Sequence, residues 1–193
     1  MSHANRERVL RAATSSFLAL GYRSSVERIA RRAGVAKQTV YHHFPSKDEL
    51  FKEVARDLAK IVLFELEAAP DDVRAGLLRF ATAYRKRVLS AQGIAMFRTL
   101  VAEIPRFRTL AKAVYAGSAG EMVRRLAAYL RKAMDAGRLR RDDPQFAAEL
   151  LLSMLAGHDR IKRIYGVLSS PHDARRTARL VDCFLRIYAP EGQ

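Results

Sequence analysis

One cysteine, no tryptophan, six prolines and only twenty acids against thirty-five bases mark this sequence of 193 residues. A lone Cys183 excludes an internal disulfide and a cysteine-based zinc site. No apolar run approaches the ~20 residues that a membrane-spanning helix needs, so a membrane partner is not expected. The opening residues, Met1 to Arg6, are polar and lack the apolar stretch of a secretion signal. With the unpaired cysteine, this predicts a cytoplasmic protein. Catalytic signatures are also missing: there is no Gly-x-Ser-x-Gly, no His-Glu-x-x-His, no phosphate loop and no dinucleotide-type glycine pattern. The acid pairs Asp71-Asp72 and Asp142-Asp143 precede helical patterns and read as caps. No enzyme, cofactor or metal is expected.

What is present is apolar content of 49% and a net charge of +15. The first excludes a disordered chain, and the length fits one large domain or two small ones. The charge calls for an acidic partner, and it is unevenly spread. Residues 1–47 hold nine bases (Arg6, Arg8, Arg11, Arg23, Arg28, Arg31, Arg32, Lys37 and Lys47) against Glu7 and Glu27. The remaining bases read as ordinary solvated faces.

The apolar spacing is helical throughout, without a sustained strand alternation, so the fold class is all-α. A first helix spans about 5–20, with Leu10, Ala13, Phe17 and Leu20 on one face and Gly21 as its stop. Ser24-Ser25-Val26-Glu27 has capping-box spacing and opens a short helix that turns Val26, Ile29, Ala30 and Ala33 inward. Gly34 breaks it. A third helix, about 36–43, points Val40 one way and Lys37, Gln38, Tyr41 and His42 the other, and Pro45 ends it. Ser46 to Glu49 cap a long fourth helix, which carries Leu50, Val54, Leu58, Ile61 and Glu65 to about Ala68. Helices are further expected at about 71–90, 93–104, 106–116, 118–136, 144–165 and 171–188. Asp143-Pro144 and Ser170-Pro171 mark two of the starts. Gly93, Gly117, Gly137 and Gly166 mark stops.

Two short helices joined by a glycine turn and braced by a preceding helix form a helix-turn-helix, whose second helix lies in the major groove. The residues carry a sharper likeness. Ser25-Val26-x-x-Ile29-Ala30-x-x-Ala33-Gly34-Val35-x-x-x-Thr39-Val40-Tyr41-x-His43-Phe44-x-x-Lys47-x-x-Leu50, with Phe17 and Gly21 upstream, resembles the signature of the tetracycline-repressor (TetR) family. That resemblance implies an N-terminal three-helix DNA-binding domain, residues 1–50, and a helical effector-binding and dimerisation domain, residues 51–193. It implies phosphate contacts from Tyr41 and Lys47, backbone contacts from Ser25 and His43, and base reading by Lys37, Gln38, Thr39 and His42; Arg28 is expected among the DNA-binding residues as well. Ala36 stands where the family often has serine, and Gln38 where many members have glycine. Both departures bear on which operator is read. His42 and His43 point about 100° apart on a helix, with no third ligand near, so they do not read as a metal site.

The segment 96–116, followed by 126–137 and Asp143-Pro144, is similar to the AefR-like subgroup, which has Glu-x-x-Arg-Phe-Pro-x-Leu. Glu103, Arg106, Phe107 and Leu110 match, whereas Arg108 replaces the expected proline and Pro105 is out of place. An apolar effector pocket is expected from Tyr84, Met96, Phe97, Leu100, Phe107, Tyr115, Met122, Leu126, Met154 and His158. Core packing accounts for each of these as well. His158 stands out as a polar group on the stripe Leu151, Met154, Leu155, Ile161. Arg85, Arg98 and Arg124 leave room for an anionic group on the effector. A symmetric operator needs a two-fold protein, so a homodimer is expected. Its interface is assigned to Phe146, Leu150, Ile161 and Tyr165 on one helix and to Ala174, Ala178, Val181, Leu185 and Tyr188 on the last. Part of each stripe also fits the protomer's own core. The resulting expectation is a transcriptional regulator, a repressor bound to double-stranded DNA and released by a small, mainly apolar effector. The alternatives are a helical ligand-binding or enzymatic protein that never meets DNA, and a basic membrane-surface protein.

Overall fold

The computed structural model describes residues 2–63, 72–103, 105, 108–167 and 173–190. Among these residues the chain forms ten α-helices and one 3-10 turn, with no strand. The helices are α1 (Ser2–Leu20), α2 (Val26–Ala33), α3 (Lys37–His43), α4 (Lys47–Leu63), α5 (Val73–Val88), α6 (Ala91–Glu103), α7 (Arg108–Gly117), α8 (Ala119–Asp135), α9 (Pro144–Ile164) and α10 (Ala174–Ile187). The all-α expectation holds, and so does most of the punctuation. Asp72, Asp143 and Asp173 cap α5, α9 and α10 by accepting from the amides of Ala75, Gln145 and Arg176, and Pro144 occupies the first position of α9. The expected start at Ser170-Pro171 and the far end of the fourth helix lie outside the described residues.

Two readings change. Gly21–Arg23 forms a 3-10 turn rather than a bare break. Gly93 is not a stop but lies in the first turn of α6, where the Ser90 hydroxyl accepts from its amide at 2.9 Å. The reason for glycine there is space: an added Cβ would sit 2.3 Å from the Arg87 carbonyl oxygen and 2.8 Å from that of Val88.

The chain divides into two compact units. The first comprises residues 1–58 with 95–119; the second comprises 59–94 with 120–193. The first closes over Val9, Ala13 and Phe17 of α1, Ile29 and Ala30 of α2, Val40 of α3, and Leu50 and Val54 of α4, all nearly inaccessible to solvent. Full burial of such a side chain contributes roughly 1.5–3 kcal/mol. Met96, Leu110 and Val114 join the same cluster.

The second unit centres on Leu77 and Phe80 of α5, Leu126 and Leu130 of α8, Leu151 and Leu155 of α9, and Val181 and Phe184 of α10. It also buries charge. Asp159 and Arg85 are 3% and 2% exposed and meet at 2.9 Å, while Arg176 reaches the same carboxylate at 2.8 Å. Arg85 also donates to the Leu155 carbonyl. Burial works to raise the Asp159 pKa, but hydrogen bonds and charge from Arg176 and Arg85 outweigh it and hold the group below the usual aspartate range. The buried polar group of α9 is thus Asp159, and His158 is exposed. Asp159 follows Leu151 and Leu155 at four-residue intervals and so shares their inward face.

Candidate nucleic-acid interface

The amino-terminal signature folds into a rigid corner, and its geometry follows from local chemistry. Ser25, extended, caps α2 by accepting from the Arg28 amide at 3.3 Å. Because the cap is Ser25 and not Ser24, Glu27 is the second residue of α2 and Arg28 takes the capping-box partner position, so the expected box does not form. The Glu27 carboxylate pairs instead with Lys37 of α3. Gly34 ends α2 at φ +63°, a left-handed conformation that side chains with a Cβ disfavour. The Val35 amide then donates to the Ala30 carbonyl at 3.1 Å, which closes the turn. Helix α3 starts without a side-chain cap, because Ala36 has no oxygen to offer.

Within α3, Val40 is 1% exposed and anchors the helix on α1 and α2. That anchor fixes the rest by helical geometry. Lys37, Gln38, Tyr41 and His42 face solvent together, while Thr39 and His43 are half-buried at the margins. Tyr41 is 40% exposed, so it is not a core tyrosine. Ser25 and Arg28 are exposed at the start of α2. Lys47 opens α4, whose cap is Ser46, accepting from the Glu49 amide at 3.1 Å. All nine expected DNA-contact residues therefore sit on one compact unit, eight of them on the α2–α3 corner and Lys47 just beyond it.

Two features of this corner are absent from the sequence reading. The Lys47 ammonium lies 4.4 Å from the centroid of the Tyr22 ring. Tyr22 is itself held by its hydroxyl on Asp48 and edge-on against Phe51 at 5.1 Å. The buried tyrosine is thus a platform under a cation that a phosphate can approach. The second feature is the Glu27–Lys37 bridge between the two helices. The Lys37 hydrogen bond, the backbone amide of Glu27 itself and the Ser25 hydroxyl lower the Glu27 pKa to about 2, and the same bridge raises that of Lys37. Lys37 also lies 5.8 Å from the Tyr41 ring centroid, so its ammonium is held beside Tyr41 on the solvent face of α3. The signal for Tyr22 was its place directly after Gly21. Nothing in the spacing links Glu27 to Lys37.

The other expected sites scatter. Tyr84, Met122, Leu126 and Met154 share the core of the second unit, whereas Met96 and Leu100 belong to that of the first. Phe97 is half-buried, and Tyr115 and His158 are exposed. Phe107 and Arg106 lie outside the described residues. Arg85 is enclosed in its pair with Asp159, which removes it as an open anion partner. Arg124 pairs with Glu121 at the surface and stays exposed, and Arg98 is exposed. On the interface stripes, Phe146, Ile161 and Tyr165 are 56%, 48% and 78% exposed. Leu150, Ala178 and Leu185 are half-buried and Ala174 is exposed. Val181 and Tyr188 are 0% and 1% exposed within the protomer's own core. They are core residues and present no surface to a second copy, because the i, i+4 stripe of α10 faces α5 and α9. Among the described residues no group of three metal-ligating side chains occurs, and no helix is long and apolar enough to cross a membrane.

Comparison with known proteins agrees with this geometry. Residues 9–54 match the tetR family of bacterial regulatory proteins, and residues 75–190 match the C-terminal domain of AefR-like transcriptional repressors. Over 70 residues the chain is 36% identical to the HTH-type transcriptional regulator RutR of Escherichia coli (strain K12), covering 36% of this chain and 33% of that protein. Over 61 residues it is 39% identical to the HTH-type transcriptional regulator YhgD of Bacillus subtilis (strain 168), covering 31% and 32%. These alignments span about a third of each curated relative. Solved structures are similar over nearly the whole length. A regulator from Mesorhizobium loti assigned to the TetR family has 27% identity, covers 98% of both chains and superposes with a TM-score of 0.84. The flavonoid-responsive regulator FrrA has 29% identity, covers 97% of this chain and 98% of that one, and gives a TM-score of 0.75. With α2 and α3 forming a helix-turn-helix and more than half of the chain matched by the C-terminal domain alone, the chain belongs to the TetR family of transcriptional regulators.

Proposed function

We propose that the protein is a repressor that binds a palindromic operator as a homodimer and leaves it when a small, mainly apolar effector binds. The observation that carries the DNA-binding part is the solvent-facing set Lys37, Gln38, Tyr41 and His42 on a helix whose opposite face is locked by Val40. In this reading Lys37, Gln38, Thr39 and His42 meet base edges, and Ser25, Arg28, Tyr41, His43 and Lys47 meet the backbone. Residues 1–50 act on DNA, and residues 51–193 bind the effector and the second protomer in the cytoplasm.

Repression is supported by the AefR-like repressor match over residues 75–190. An aromatic effector is favoured by the flavonoid-responsive relative, similar along its full length, and by the aromatic and methionine side chains Tyr84, Met122 and Met154. A ligand releases DNA only by preferring a half-site spacing that does not fit the groove. Helix α4 is the covalent lever for that change, since the boundary between the two units falls within it at Leu58. For the dimer, the exposed apolar side chains Phe146, Ile161 and Tyr165 of α9 and its flank supply the surface. The glycine Gly157 on the same helix has open space where a Cβ would stand, which suits close approach of a second helix.

Footprinting of the upstream region, followed by titration of the located operator, tests the reading. Lys47→Ala should weaken binding to all sequences alike and reduce the salt slope by about 0.9 for each half-site, or about 1.8 for the dimer. Gln38→Ala should change which operator is preferred, a good base contact being worth about 1–3 kcal/mol. A duplex bound equally well after Tyr41→Ala with Lys47→Ala removes the helix-turn-helix assignment. Ile161→Glu with Tyr165→Glu should yield monomers in sedimentation; an unchanged dimer places the interface elsewhere.

A further inference from the structure

Beyond the corner that reads DNA, the same unit holds a concave groove of about 420 Å³ between α1 and α2. Four guanidinium side chains line it, Arg8 and Arg11 from α1 and Arg31 and Arg32 from α2, with Ser15 and the Gly34 turn between them. No carboxylate is among the lining residues. Outside the lining, Glu7 meets Arg11 at 3.7 Å in a pair exposed on both sides. Arg8 is tied down by donating to the Gly34 carbonyl at 3.2 Å and to Asn5 at 3.5 Å, so one wall of the groove is preset. Arg31 and Arg32 in the last turn of α2 also suit the negative end of that helix. That accounts for cations on α2 but not for Arg8 and Arg11 opposite them. Four like charges converging on one hollow repel each other and persist at the surface at a cost that a polyanion would relieve.

We propose that this groove holds backbone phosphates of the DNA flanking the half-site, a second anion site outside the contacts of the recognition helix. The proposal rests on the DNA-binding reading given above. Guanidinium forks match phosphate oxygens in pairs. Continuity fixes the source. Arg28, at the start of α2, stands three and four residues before Arg31 and Arg32, so these arginines form one stripe along the outer face of α2. All three are exposed. The eight residues of α2 extend about 12 Å, or some three to four steps of ~3.4 Å along one DNA strand. A backbone that meets Ser25 and Arg28 is carried by that stripe to the groove a few base pairs further out.

The experiment uses the full-length protein and the footprinted operator in two forms, trimmed to the edges of the contacted half-sites or extended by one helical turn on each side. The wild type should prefer the extended duplex. Two added phosphate contacts make the salt slope steeper by about 1.8, so that preference should fall about tenfold between 50 and 200 mM salt. Arg11→Gln with Arg32→Gln should keep the melting temperature and the affinity for the trimmed duplex while losing the preference. Arg31→Gln with Arg32→Gln should do the same from the α2 side alone. Equal wild-type affinity for both duplexes, or a preference that survives both double variants, overturns the proposal and leaves the operator reading standing. Binding of neither duplex overturns both. Inorganic pyrophosphate is the competing arm: if it binds the groove at micromolar concentration and the duplex length makes no difference, the site takes a free polyphosphate and the DNA assignment fails.

Discussion

In the unit that carries the helix-turn-helix, the cations of α2 and α3 stand outside a core of Phe17, Ile29, Val40 and Leu50. In the second unit Arg85 and Asp159 are sealed inside the core among α5, α9 and α10. The contrast separates two uses of the same side chain. An exposed guanidinium is hydrated at little cost and stays available to an incoming anion. A buried one requires its partner already present within the chain, because an unpaired charge in that environment is strongly destabilising. The first arrangement leaves charge open to an anion, and the second fixes which faces of three helices meet.

The sharpest break of that contrast is Asp159→Ala. Removing the carboxylate leaves Arg85 buried and uncompensated, so unfolding stability should fall by about 3–5 kcal/mol, read as a lower urea midpoint at an unchanged m-value. A midpoint within error of the wild type would mean the pair does not hold the core. The same residue sets an acid limit. Its folded pKa lies below the unfolded one, so its contribution is complete above the ordinary aspartate value and is lost as pH falls through the depressed folded value. Asp159→Asn should flatten that part of the acid-unfolding curve.

A smaller effect is expected in the first unit from Gly34→Ala. The residue sits at φ +63° with the Arg8 guanidinium 2.6 Å from the position of a new Cβ. A left-handed residue with a Cβ costs roughly 1–2 kcal/mol, and the displaced Arg8 side chain should also loosen the turn that orients α3. Chemical denaturation gives the first quantity, and operator affinity the second. Stability unchanged together with affinity unchanged would show that the turn tolerates the side chain.

The mildest change is Lys37→Gln, which leaves every core contact intact. The Glu27 carboxyl, held to about 2 chiefly by the Lys37 hydrogen bond, should then titrate close to the ordinary glutamate range when followed by NMR. Both groups are exposed, so thermal stability should scarcely move. Titration still near 2 would assign the shift to the Ser25 hydroxyl and the Glu27 amide.

The legibility of the two units differed for the same reason. The corner at residues 25–47 was readable because its determinants are local: Ser25 as cap, Gly34 as the left-handed stop, Val40 as anchor and Pro45 after the last turn all act within a few residues. Helix positions along the rest of the chain followed equally well from period and caps. Facing was read less well. On α10, Val181 and Tyr188 satisfy the same periodicity whether they meet the protomer's own α5 or a second copy, and they are buried in the protomer. On α9, His158 and Asp159 are neighbours in sequence, yet a step of about 100° sends one to solvent and the other into the core.

By itself, the sequence determined the helical class, the approximate places of most helices and which side chains of α3 face solvent, because caps, glycines and a 3.6-residue period act over one or two turns. It also determined the excess of positive charge near the amino terminus, which is a matter of composition. Tertiary structure alone decided which charges meet. Glu27 finds Lys37 across a turn, Arg85 finds Asp159 at a separation of 74 residues along the chain, and Arg8 and Arg11 converge with Arg31 and Arg32 around one hollow. Such pairings depend on distances that only the packing of separate helices sets, and Coulombic attraction has no signature in the spacing of residues along a chain.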